Sequence, residues 1–129
     1  MAAKAQKIDS LNQRGRVGRE GEALAADFLS AQGFTMIARN WRCRMGELDL
    51  IAVRDGRLHF VEVKARRNQR FGYPEEAVSR TKRQRWFRAI ELWLQSHAPA
   101  QAAYQADVIT ILWVAGKPKI DWIQNVELV

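Results

Sequence analysis

Apolar residues recur at helical spacing from about Gly15 to Ala31, where Val17, Leu24, Ala25, Phe28 and Leu29 form one stripe that Gly33 ends. At 100° per residue Glu22 falls beside Leu29 on the border of that stripe, while Glu20 and Asp27 lie on its other side. Glu22 can therefore reach the rim of whatever the helix packs against. The period then shortens to two. Phe34 to Asn40 reads as a short strand and residues 40–46 as a basic connector, and strands over Glu47–Val53 and Leu58–Ala65 flank Asp55-Gly56. After a polar loop holding Arg66, Arg67, Arg70, Gly72 and Pro74, the helical period returns from about Ser79 to His97, with Phe87, Ile90, Trp93 and Leu94 facing inward. Ala106–Val114 is a nearly continuous apolar run, the mark of a strand buried on both faces, and Ile120–Val126 follows the turn at Ala115-Gly116-Lys117-Pro118. Residues 1–13 show no usable period and read as a flexible leader to a single domain over residues 14–129.

The predicted order is α-β-β-β-α-β-β, an α/β arrangement best satisfied by a mixed sheet flanked by helices, with the long helix crossing to a non-sequential strand. A GxxGxxG run at Gly15, Gly18 and Gly21 has no strand before it, so it reads as small residues that let the helix lie close to the sheet rather than as a phosphate loop.

The hairpin carries the chemistry. Asp-Gly favours a two-residue type I′ turn. That turn sets Arg54 against Arg57, Asp49 against Glu62 and Glu47 against Lys64, and it puts Glu47, Asp49, Ile51 and Val53 on one face with Leu58, Phe60, Glu62 and Lys64. Opposed like charges are destabilising unless something neutralises them, and a divalent cation would do so. A solvated face of ion pairs is the bland alternative. It fits poorly here, because Leu48, Leu50, Ile51, Val53, Phe60, Val61 and Val63 make the hairpin apolar on both faces and so interior to a sheet. Asp49 and Glu62 are the expected metal ligands, with Glu22 completing the shell, and Lys64 is placed to stabilise transition-state charge or orient a water in phosphodiester hydrolysis. His59 points away from the carboxylates and reads as structural, Asp107 reads as a cap or ion-pair partner, and Trp86, Trp93, Trp113 and Trp122 read as core.

Composition narrows the partner. Hydrophobic residues at 47% and charged residues at 27% describe an ordinary globular chain, but 21 Lys and Arg against 14 acids leave a net charge of +7, which attracts polyanions. Arg66, Arg67, Arg70, Lys82, Arg83 and Arg85 are the expected nucleic-acid contacts. Cys43 is the single cysteine, which excludes an intrachain disulfide, and with only His59 and His97 beside it no zinc-ligand spacing can be built. The chain has no apolar run of signal-peptide or membrane-spanning length, so a reducing, cytoplasmic location without membrane contact is expected.

Asp49 followed by Glu62-Val63-Lys64 resembles the signature of the PD-(D/E)XK nuclease superfamily. Gly18-Arg-Glu-Gly-Glu22, Asn40-Trp41, Gly46-Glu-Leu-Asp-Leu-Ile51, Phe60-Val-Glu-Val-Lys64 and Phe71-Gly72 look more closely like the YraN-like family, itself similar to archaeal Holliday junction resolvases. Leu48 stands where the superfamily has proline, and Gln105-Ala106 stands where the family more usually has Arg-Phe. The resemblance implies a restriction-endonuclease-like three-layer fold, a helix glutamate at Glu22, a metal pair at Asp49 and Glu62, and a catalytic lysine at Lys64. The implied function is a Mg2+-dependent endonuclease, with Mn2+ as a substitute cation, acting on DNA and with branched or junction structures among its candidate substrates. Symmetric cutting of a junction would call for a homodimer. A non-catalytic nucleic-acid-binding protein on the same fold is the alternative.

Overall fold

Asp55 and Gly56 both take positive φ, 53° and 75°, in the computed structural model of the chain. This is the type I′ turn that the dipeptide favours. It joins strands at Gly46–Arg54 and Arg57–Arg66 in the expected register, from Arg54↔Arg57 through Leu50↔Val61. The structure describes the backbone of residues 2–67 and 79–127, and side chains from residue 15 onward within those ranges. In chain order the elements are α1 (Ala2–Ala31), β1 (Thr35–Cys43), β2 (Gly46–Arg54), β3 (Arg57–Arg66), α2 (Arg80–His97), β4 (Tyr104–Val114) and β5 (Lys117–Ile123).

The sheet order is β1-β2-β3-β4-β5, antiparallel except for the parallel β3–β4 pair. A parallel pair needs a crossover of a dozen or more residues, and α2 lies within that connection. It carries the chain to the adjacent strand, not to a non-sequential one, because β4 takes the free edge of β3. On one face Ala25, Ala26 and Leu29 of α1 pack on Leu50, Ala52, Val61, Ile109 and Ile111. On the other, Trp86, Ala89, Ile90 and Trp93 of α2 pack on Leu48, Ile51, Phe60, Ala106 and Val108. The result is a three-layer α/β sandwich with β4 buried on both faces, and with Trp86 and Trp93 in the core, while Phe87 and Leu94 are only partly buried against it.

Several boundaries differ from the sequence pattern. Helical backbone begins at Ala2, so α1 is longer than the Gly15–Ala31 stripe. The expected basic connector over residues 40–46 is mostly strand: pairing of β1 with β2 runs to Cys43↔Gly46, and only Arg44 and Met45 form the turn. β5 starts at Lys117 rather than Ile120, because Ala115 (φ 50°) and Gly116 (φ 79°) close a two-residue turn. Its end also shifts. The chain leaves β5 after Ile123, and the Val126 N–H donates to the Ala106 carbonyl at 2.7 Å.

α1 ends in a Schellman motif. Gly33 takes φ 91°, its N–H donates to Ser30 O, and Phe34 N–H donates to Leu29 O. α2 is capped by Ser79, whose side chain accepts from the Lys82 N–H. Among the glycines of the GxxGxxG run, only Gly21 does what the run suggests. A Cβ there would lie 2.7 Å from the Ala65 Cβ of β3, whereas one at Gly18 would meet nothing within 4 Å. Gly21 thus sets how closely α1 approaches the sheet, one residue before Glu22. Gly21→Ala is expected to destabilise the fold by about 1–3 kcal/mol through overpacking. Gly18→Ala, in the same helix, should be neutral or stabilising by up to about 1 kcal/mol. Chemical denaturation of both variants checks this, and equal effects would remove the close-approach explanation.

Candidate active site

The ladder between β2 and β3 stops at Leu50↔Val61, one pair short of Asp49 and Glu62. Leu48 and Leu50 show why. Two residues apart on a strand, they should share a face. Yet Leu48 lies in the α2 core and Leu50 in the α1 core, so β2 twists away from β3 at Asp49. In the gap the Val63 N–H donates to Asp49 Oδ2 at 2.9 Å, which fixes the carboxylate between the parting strands. The regular single face expected from Glu47 to Val53 is therefore broken, and so is the expected Glu47–Lys64 opposition. Lys64 Nζ pairs instead with Glu62 Oε1 of its own strand at 3.3 Å, and Glu47 Oε2 pairs with Arg42 Nε at 3.4 Å.

The break brings acids together from two layers. α1 supplies Glu22 and β2 supplies Glu47 and Asp49, with one oxygen from each lying within 4.8 Å of the others. Glu62 adjoins this cluster, close enough to Asp49 for the two carboxyls to act on each other's charge. Burial, with Asp49's charge as the next cause, pushes the Glu62 carboxyl up to about 8. Burial also raises Asp49, against the opposing Val63 N–H bond, and burial followed by the Asp49 charge raises Glu22. All three shifts express one fact: the folded chain crowds negative charge where little water reaches it.

Lys64, Glu62 and Glu47 open onto a cavity of about 220 Å³, whose far wall is Trp86 with Lys82 and Arg85 of α2. Lys82 and Arg85 are three residues apart and so share a helix face. The other expected nucleic-acid contacts do not gather there. Arg67 turns to the α1 side, where it meets Glu20 Oε2 at 2.8 Å and stacks over Trp113, and Arg83 donates to the Glu127 carbonyl at 3.3 Å. Arg66 donates to the Ala65 carbonyl. Arg70 lies outside the described residues, as does Phe71-Gly72.

A family model described as "Uncharacterised protein family UPF0102" matches residues 21–111. The chain belongs to the UPF0102 family. It is 44% identical over 125 residues to a UPF0102 protein of Nocardia farcinica, covering 96% of this chain and 98% of that one. A UPF0102 protein of Streptomyces griseus is 45% identical over 104 residues (79% and 87% of the two chains). One from Pseudomonas aeruginosa is 40% identical over 111 residues (84% and 89%). The stretch matched by the UPF0102 model contains Glu22, Glu47, Asp49, Glu62, Lys64, Lys82 and Arg85, so the whole cluster and its cavity lie inside the family's own region.

Two residues of this UPF0102 site escape sequence reasoning. Glu47 is visible only as a charge two positions from Asp49, and its approach to Glu22 depends on the twist in β2. Asn40 appears in the sequence only within the Asn40-Trp41 motif, with nothing there to tie it to the acids. It takes φ 53° in β1, and with two carboxylates as neighbours its amide nitrogen is the atom that must face them, donating to Glu22 Oε2 at 3.0 Å and Glu47 Oε1 at 2.6 Å. His59 and Asp107 stand apart from the site, joined at 2.7 Å in the α1 layer, as their structural reading predicts. Among the described residues no helix is long and apolar enough to cross a membrane.

The raised Glu62 carboxyl has a measurable consequence. An acid whose folded pKa of about 8 exceeds the ordinary 4.5 binds protons more tightly in the folded state. It therefore contributes stability that is complete below pH 4.5 and is lost as pH rises through 8. Relative to Glu62→Gln, the metal-free wild type should lose on the order of 2 kcal/mol between those limits, after allowance for residual solvent screening. Thermal melts of both proteins from pH 5 to 8.5 check the sign. A wild type that gains on the variant as pH rises would contradict it.

Proposed function

We propose that this chain is a divalent-metal-dependent endonuclease that hydrolyses DNA phosphodiester bonds. The observation that carries the reading is the convergence of Glu22, Glu47 and Asp49 beside the Glu62–Lys64 pair, at a cavity walled by Lys82 and Arg85. The donor set fits a hard cation of the Mg2+ or Mn2+ kind. It is all carboxylate oxygen, without the His or Cys that would favour zinc, and its charge excess is what such a cation relieves. Asp49 followed by Glu62-Val63-Lys64 supports the PD-(D/E)XK assignment made from the sequence.

A divalent cation, when bound, supplies charge neutralisation at the phosphoryl oxygens and a water of lowered pKa. Asp49 and Glu22 would hold it, with Glu47 and Glu62 as neighbouring donors. Lys64, held by Glu62 at the cavity, offers an ammonium to the negative charge that develops on the phosphate oxygens during displacement. Lys82 and Arg85 would take flanking phosphates and so hold the scissile bond over the acids. A purely binding protein gains nothing from four acids beside a polyanion. Retention of that costly cluster in a chain of net charge +7 favours catalysis over the non-catalytic alternative.

The test is incubation of duplex, single-stranded, flapped and four-way-junction DNA with the pure protein, in Mg2+, Mn2+ or chelator. Cation-dependent cutting is expected, reduced about 10²–10³-fold by Lys64→Ala. Binding measured in chelator should weaken steeply with salt, as phosphate contacts dictate. Cation-dependent products that persist undiminished in Lys64→Ala would refute the assignment, and salt-sensitive binding without any cutting would favour the non-catalytic alternative.

A further inference from the structure

We infer that Asn40 is a positioning residue, whose amide holds the Glu22 and Glu47 carboxylates in the spacing that a divalent cation requires. The inference rests on the metal-site reading above and adds to it a residue outside the acidic set. Asn40 lies in β1 between the Arg39↔Leu50 and Trp41↔Leu48 pairs, level with Asp49 on the neighbouring strand. From there the amide reaches Glu22 Oε2 on α1 at 3.0 Å and Glu47 Oε1 on β2 at 2.6 Å, so one side chain ties two elements to a third.

The remaining atoms around it fit the role. Arg42, two residues along β1, takes the other oxygen of Glu47 at 3.4 Å, so that carboxylate is held from both sides by one strand. A neutral donor suits this place better than a cation. It keeps the acids from turning away from each other without cancelling the charge that attracts the metal. The backbone points the same way, for φ 53° is left-handed, a conformation that asparagine tolerates better than most residues. Groups that hold metal-binding side chains in this way typically affect metal affinity by about 10–100-fold.

The decisive variant is Asn40→Gly. Glycine accepts the left-handed backbone, so the fold is retained while the amide is removed. Mn2+ titration followed by electron paramagnetic resonance should show about tenfold weaker binding than wild type, in a protein whose metal-free form still melts cooperatively. In a Glu22→Gln, Glu47→Gln background the amide has no carboxylate to position, so Asn40→Gly should add little further loss. Affinity equal to wild type, or the same loss in both backgrounds, overturns the inference. A tenfold drop supports it whether or not the wild type cuts DNA, so the failure of the nuclease reading would be a separate result. Absence of any Mn2+ uptake by wild type would overturn both.

Discussion

Asp49→Asn is expected to reduce cleavage by at least about 10³-fold and, at the same time, to raise the melting temperature of the metal-free protein. The two effects have one origin. Asp49 sits between Glu22, Glu47 and Glu62, and its charge contributes to the raised carboxyls of Glu22 and Glu62. Asparagine keeps an oxygen to accept the Val63 N–H, so the break between β2 and β3 survives. It removes the charge, and its amide can donate to the neighbouring acids. Relief of like-charge repulsion by roughly 1 kcal/mol would raise the melting temperature of a chain this size by about 3–6 °C. On the proposed mechanism, the loss of activity follows from removing a metal ligand and its charge where charge neutralisation is the main work of catalysis. Such an opposition between stability and activity marks a functional site, because a carboxylate retained only for structure would cost stability when neutralised. Single-turnover cleavage alongside calorimetry measures both. A variant that cuts like wild type, or one that melts well below it, would exclude Asp49 from the proposed role.

Much of this site was legible in the chain because its strongest determinants are local. Asp55-Gly56 selects its turn by backbone sterics alone, and the turn dictates the register that brings residues 49 and 62 close. Glu22 was placed by helical period, and Gly33 by the positive φ that ends α1. What remained hidden depends on contacts between distant segments. The twist that sends Leu48 and Leu50 to opposite cores arises where β2 must pair with β1 and leave β3, and no periodicity within β2 reports it. Glu47 and Asn40 join the site only through that twist. The length of β1 is hidden for a related reason: Arg39, Arg42 and Arg44 look like a solvated connector, yet an edge strand exposes alternate side chains and accommodates them.

The largest stability effect is expected away from the acids, at Asp107. Its side chain is fully buried and its two oxygens accept from four donors: His59 Nδ1 at 2.7 Å and Trp122 Nε1 at 3.1 Å on Oδ2, and Gln105 Nε2 at 2.9 Å and Asn125 N at 3.0 Å on Oδ1. These donors lie on β3, on β4 itself, on β5 and in the segment after it, so one carboxylate fastens the open edge of the sheet. Asp107→Ala leaves those donors without an acceptor, including the buried His59 ring. Stranding polar groups in this way costs about 3–5 kcal/mol, or roughly 10–20 °C of melting temperature in a domain of this length. Asp107→Asn should be intermediate, since its amide nitrogen must meet donors on whichever side it faces. Because this network is separate from the Asp49 cluster, cleavage measured well below each variant's melting point should stay within about threefold of wild type, the scatter normal for a change that leaves the reacting geometry intact. If Asp107→Ala melted like wild type but lost cleavage, Asp107 would belong to the reaction, and the His59–Asp107 pair would need to be read as chemistry instead of architecture.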